Sequence, residues 1–188
     1  MAIKIFIDQG HNPRNPNAGA EGNGYREQDI TYNIGTELAS LLDADPNFEA
    51  RLSRTSPSQI LGTSNATSLA NRVRNANSWG ADYFISLHTN ASDRSSASGS
   101  EGFAYRNDSD AFDFGESILT WLNRVTGLAN RGMYTRPGLY VLKKTQMPAV
   151  LIELGFITNP NDAYLMARNP QLFATGIYNG ILDYFGLL

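Results

Sequence analysis

The chain contains no cysteine. That excludes a disulfide framework, a thiolate metal site and a cysteine nucleophile, and it leaves the redox compartment undetermined. No apolar run approaches the ~20 residues of a membrane span, so membrane insertion is not expected. Runs of like charge are also missing. The 15 basic residues stand against 18 acidic ones, a formal charge of −3, which argues against a nucleic-acid partner that would need a basic stripe. No signal peptide is visible: Lys4 lies inside an alternating β-like run, and no apolar segment with a cleavage site follows it. Histidine is nearly absent too, with only two residues, His11 and His88.

What is present fits one domain. A chain of 188 residues can bury roughly 70% of its unfolded surface without covalent staples. Residues 2–7, 48–53, 83–87, 102–105, 139–142 and 149–154 are short and rich in β-branched or aromatic types, and read as strands. Helical periodicity runs through 28–42, 67–79, 110–126 and about 171–185. Strands alternating with helices predict an α/β fold: a mixed, mostly parallel sheet of about six strands flanked by helices. Two polar, small-residue loops, 54–66 and 92–100, are long enough to wall a binding site.

In such sheets ligands gather beyond the carboxyl ends of the strands. His11 follows the strand in IFIDQGHN and His88 follows that in FISLHTNA, so both imidazoles are expected on one rim. Two acids complete the set. Glu27, in GYREQDITYNIG, opens the 28–42 helix, where a carboxylate also complements the positive helix end. Glu153 interrupts the most apolar strand, PAVLIELGF, where a carboxylate is costly unless it is paired or bound to a cation. Two imidazoles and one carboxylate, with a fourth position open to water, form a catalytic zinc arrangement. A second carboxylate would then move the water's proton to a leaving nitrogen. The residue types alone leave open which glutamate is ligand and which is base. Competing chemistries lack their signatures: there is no H-E-x-x-H and no G-x-S-x-G, and a two-carboxylate glycosidase would leave both histidines idle.

With these residues in hand, the chain resembles the zinc-dependent N-acetylmuramoyl-L-alanine amidases of the Amidase_3 type, found among bacterial autolysins and phage endolysins. Four ordered blocks carry the resemblance: IFIDQGHNPRNPNAGA, GYREQDITYNIGTELASLL, LANRVRNANSWGADYFISLHTNA and LYVLKKTQMPAVLIELGFITNPNDAYLM. Position by position it implies His11, Glu27 and His88 as zinc ligands and Glu153 as general base. It also implies peptidoglycan or muropeptide as substrate, cut at the amide between the lactyl group of N-acetylmuramic acid and L-alanine, with action at the cell wall or outside the cell. Two departures flank the metal histidine: Gln9 stands where the family commonly has proline, and the spacing from Pro13 to Ala18 is longer.

Residues 1–188 are expected to form a single catalytic domain, monomeric and without a wall-binding module, with room for an activator protein. Arg131, with Arg136 behind it, and Asn90 are the candidate contacts to the carboxylate-bearing stem peptide; Arg72 is expected to bridge elements structurally. Two other readings use the same residues: a zinc peptidase cutting within the stem peptide, or a module on the same fold that binds wall glycopeptide without cutting it.

Overall fold

A computed structural model describes residues 2–188. Its centre is a six-stranded sheet. The strands are β1 (Ile3–Gln9), β4 (Phe48–Leu52), β5 (Tyr83–Asn90), β6 (Ser100–Ala104), β7 (Asn130–Thr135) and β8 (Ala149–Phe156), and a small hairpin, β2 (Glu21–Gly22) with β3 (Tyr25–Arg26), stands apart. Six helices surround the sheet: α1 (Glu27–Asp43), α2 (Asn65–Trp79), α3 (Asp110–Thr126), α4 (Tyr140–Lys144), α5 (Pro160–Arg168) and α6 (Pro170–Tyr184). Strand order is β4-β1-β5-β8-β6-β7, and every neighbouring pair is parallel except β6 with β8. The expected mixed, mostly parallel α/β sheet is what forms.

Both faces of the sheet are covered, which is why its central strands read as nearly continuous apolar runs. Because side chains alternate along a strand, Ile5, Ile7, Ile85, Leu87, Val150, Ile152 and Leu154 enter the larger core with α1, α3, α5 and α6. Phe6, Phe84, Phe103 and Leu151 face the other way, into a smaller core with α2 and α4. The same alternation, carried toward the carboxyl ends of the strands, puts Asp8 two residues beyond Phe6, His88 four beyond Phe84 and Glu153 two beyond Leu151, all on the α2/α4 face. Glu101, at the amino end of the antiparallel β6, joins the row directly opposite Glu153.

The elements differ from expectation in three places. Residues 139–142 are not a strand: Leu139 caps a five-residue helix, α4, with Val141 and Leu142 buried beneath it. A four-residue apolar run does not distinguish strand from buried helix, and Pro137–Gly138 just ahead of it breaks any extension. The sixth strand is instead β7, NRGMYT, an exposed edge with an internal glycine and no clean alternation. α5 also went unread, although Asn159 caps it and Pro160 occupies its first turn.

One buried ion pair braces the carboxyl end of β1. Arg72 of α2, 1% exposed, donates to Asp8 Oδ1 at 2.6 Å and to the carbonyls of Gln9 and His11, each at 2.6 Å. Ser86 Oγ donates to the other Asp8 oxygen at 2.8 Å. Burial opposes Asp8 ionisation, but the Arg72 charge and hydrogen bond dominate and hold its pKa below the usual carboxylate value. Arg72→Met should therefore strand a buried carboxylate and cost about 3–5 kcal/mol in urea unfolding at neutral pH. A lowered carboxylate pKa adds stability above the unfolded value and loses it as pH falls through the folded one. The gap between wild type and variant should accordingly narrow in acid.

Candidate metal centre

Three segments far apart in sequence deliver the central side chains. His11 lies just past β1, in a backbone conformation (φ 67°) that a non-glycine residue rarely adopts, so its local strain is borne by the surrounding contacts. Besides the Arg72 clamp on its carbonyl, the next residue closes the loop behind it. Asn12 donates to the carbonyls of Pro16 (2.7 Å) and Leu61 (3.0 Å) and accepts from the Leu61 N–H at 3.0 Å. The longer spacing from Pro13 to Ala18 is thus folded onto a buried amide, and Asn17 ties it to Ser68 of α2 at 3.1 Å. Gln9, the other departure, docks β1 against α1 and the loop after β4: its amide accepts from Arg54 N–H at 3.0 Å and donates to Tyr32 O at 3.2 Å.

Glu27 is the first residue of α1, as read from the sequence, and is 3% exposed. Its Oε2 accepts the Ala20 N–H at 2.9 Å and its Oε1 the Thr89 N–H at 3.0 Å. His88 sits within β5 rather than after it, because the strand continues to Asn90 through an irregularity next to His88.

These three meet. Glu27 Oε1 is 3.3 Å from His11 Nε2 and 3.0 Å from His88 Nδ1, and the two rings stand edge-on with centroids 4.8 Å apart. One ligating atom from each residue lies within 4.8 Å of the others. Donors on a tetrahedral zinc with bonds of about 2.1 Å are spaced by about 3.4 Å, so the set offers the donor types that ion takes, and its two spacings to Glu27 Oε1 lie near that value. Two glycines leave room for it. A Cβ on Gly10 would come within 2.6 Å of the His88 ring, and one on Gly19 within 2.8 Å of Glu27 Oε2.

The charges follow from the geometry. Burial disfavours the Glu27 carboxylate, but hydrogen bonds and charge from both imidazoles overcome it and hold the group well below the usual range. Burial likewise lowers His88, yet the Glu27 hydrogen bond and charge, with Glu153 and Asp8 behind them, raise it above its ordinary value.

Glu153 stands opposite His88 across the β5–β8 pairing, and its Oε2 is buried with no partner among the described residues. Burial raises its pKa to about 7; His88 and Arg136 act against that rise, and Glu27 and Glu101 add to it. Asn90 and Arg131 both turn to Glu101, a residue the sequence did not single out. Asn90 Nδ2 donates to one Glu101 oxygen at 2.6 Å and Arg131 Nε to the other at 3.3 Å. Glu101 had no local signal; only the register of β6 against β8 brings it to the site.

Volume alone does not find this place. A groove of about 580 Å³ beside Glu37, Arg168 and Gln171 holds no cluster of ligating groups, whereas a cavity of about 130 Å³ abuts both imidazoles and is walled by Leu69, Leu139, Val141 and Leu151.

Comparison with known proteins agrees with the geometry. Residues 5–183 match the family model Amidase_3, described as N-acetylmuramoyl-L-alanine amidase. The N-acetylmuramoyl-L-alanine amidase CwlM of Bacillus licheniformis is 35% identical over 98% of this chain and 70% of its own length. The catalytic domain of CwlV, an N-acetylmuramoyl-L-alanine amidase from Bacillus (Paenibacillus) polymyxa, superposes with a TM-score of 0.84 at 28% identity, covering 99% of each chain. The CwlD amidase of Clostridioides difficile, solved in complex with the GerS lipoprotein, gives a TM-score of 0.89 at 26% identity over 99% of this chain and 100% of that one.

Gly19→Ala should displace Glu27 without unfolding the sheet. Chelator competition is expected to show zinc affinity reduced about 10- to 100-fold, with far-UV circular dichroism unchanged. Because the pKa of His88 is raised and a ligand imidazole must be neutral, zinc binding to the wild type should release protons and weaken as pH falls, which calorimetry in buffers of different ionisation enthalpy would register.

Proposed function

The chain belongs to the Amidase_3 family of N-acetylmuramoyl-L-alanine amidases, and from that premise we propose that His11, Glu27 and His88 hold a zinc ion while Glu153 moves the proton. The reaction is hydrolysis of the peptidoglycan amide between N-acetylmuramic acid and L-alanine. The observation that carries the assignment is the convergence of His11, Glu27 and His88 within 4.8 Å, beside the Glu153 carboxylate, one oxygen of which is buried with no partner among the described residues.

Zinc, when bound by this set, supplies Lewis acidity that polarises the scissile carbonyl and acidifies water. The protein's part is positional and protonic. Glu153, held on β8 beside His88, accepts a proton from the attacking water at its free oxygen. As the C–N bond breaks, the same carboxyl returns that proton to the nitrogen of L-alanine, leaving a lactyl carboxylic acid and a free amine. A pKa near 7 suits a group that must first take and then give.

The 188 residues act in this reading as one catalytic domain on wall peptidoglycan. Among the described residues no helix is long and apolar enough to cross a membrane. The solved complex of CwlD with a lipoprotein motivates a partner protein for this chain as well.

Digestion of purified peptidoglycan, with and without chelator, distinguishes the readings. New amino-terminal L-alanine that disappears with chelator is the expected result. Other new amino termini would favour a stem-peptide peptidase, and tight binding without new ends a recognition module. Glu153→Gln should retain zinc by metal analysis yet lower kcat at least 10²- to 10⁴-fold, since acceptor and donor roles vanish together. Near-normal turnover in that variant would remove Glu153 from the mechanism.

A further inference from the structure

The cations around the site are not equivalent. Arg72 is consumed by Asp8 and by two backbone carbonyls. Arg131 pairs with Glu101, donates to Ser98 O at 3.3 Å and lies over the Phe156 ring at 5.0 Å. Arg136 differs. Among the described residues its side chain forms no ion pair and donates no hydrogen bond. Its guanidinium lies over the Phe103 ring, 4.2 Å from the centroid, and its backbone N–H is fixed to Ala104 O at 2.9 Å.

Phe103 places that charge. It pairs with Leu151 across β6 and β8, two residues from Glu153 on the same face, and it belongs to the core on the α2/α4 side. The Arg136 guanidinium is thereby held on the face of the sheet that carries Glu153 and Glu101. A guanidinium stacked on an aromatic ring has lost part of its rotamer freedom before any ligand arrives, while the N–H edge remains free to meet a planar anion at two points. The carboxylate is the anion that such a fork fits. In the substrate proposed above, the sugar offers hydroxyl and acetamido groups, and the stem peptide offers carboxylates.

We propose that Arg136, rather than Arg131, is the specificity-determining cation of the site: stacked on Phe103, it receives a stem-peptide carboxylate as the scissile amide settles against Glu153. This rests on the amidase reading and adds to it a preference in substrate charge. Arg131 serves a different end, holding Glu101 beside Glu153.

Two synthetic substrates test it with the zinc-loaded enzyme. Both are N-acetylmuramoyl-L-alanyl dipeptides with every other carboxyl amidated. They differ only in whether the second residue carries a free α-carboxylate or a carboxamide. Arg136→Gln should lower kcat/KM on the carboxylate substrate about five- to tenfold, mostly through KM, and on the carboxamide less than about twofold. Arg136→Lys, which keeps the charge without the planar fork, should fall between wild type and Arg136→Gln on the carboxylate substrate. An equal loss on both substrates, or no loss on the carboxylate, would overturn the role of Arg136. Failure of the wild type to cut either substrate while it opens intact peptidoglycan elsewhere would instead overturn the amidase reading.

Discussion

A single oxygen, Oε1 of Glu27, sits between two imidazoles that reach it from strands and loops 61 and 16 residues away in the chain. The distances are 3.0 Å to His88 and 3.3 Å to His11. The surrounding architecture keeps that meeting possible although the carboxylate itself is buried from solvent. A buried carboxylate is tolerated only when its lone pairs are met. Glu27 takes two of its contacts from backbone N–H groups, at Ala20 and Thr89, and the rest from the histidines. The first turn of α1 contributes as well, because free N–H groups and the helix dipole favour negative charge there. A carboxylate so placed needs no side-chain cap on α1, and none is present.

Holding three separate segments to within a fraction of an ångström requires bracing below the site, and Arg72 supplies it. Its guanidinium reaches Asp8 and the carbonyls of Gln9 and His11 at once, so α2 is pinned to the turn on which His11 is presented. The positive φ of His11 is the local counterpart of this clamp: the loop conformation is unfavourable alone and is maintained by Arg72 and Asn12. Lysine could not replace Arg72, since the contacts need a planar fork with several donors.

How much of this was legible in the sequence depends on how local each signal is. His11, Glu27, His88 and Glu153 each break a pattern: an imidazole at the end of an apolar strand, an acid at a helix start, a carboxylate within VLIEL. Such breaks can be read without knowing the fold, although chemistry alone left the two glutamates interchangeable. The tertiary positions separate them, one at the head of α1 between the imidazoles and one across the β5–β8 pairing. Glu101 and Arg136 could not be ranked this way. Glu101 becomes a neighbour of Glu153 only because β6 runs antiparallel to β8, and the Arg136 guanidinium is placed by the Phe103 ring beneath it. The same limit explains the elements. Helix 110–126 has a long, regular apolar period and coincides with α3, whereas LYVL is too short for its period to choose between strand and helix, and the true edge strand NRGMYT is too polar to announce itself.

The row of charges across the α2/α4 face follows one logic. At the β1 side, Asp8 is closed by Arg72 at 2.6 Å; at the β7 side, Glu101 is closed by Arg131 and Asn90. Both carboxylates are thus occupied by partners within the protein. Between them lies Glu153, half-buried, flanked by His88 on β5 and Glu101 on β6, with one buried oxygen that engages nothing among the described residues. Adding a partner would lower its pKa and weaken it as a base, and removing Glu101's negative charge would act in the same direction. The neighbours that fix Glu101 therefore matter to Glu153 although they do not touch it: by holding one carboxylate beside another, they help keep the unpaired one near the pH at which it can both accept and release a proton.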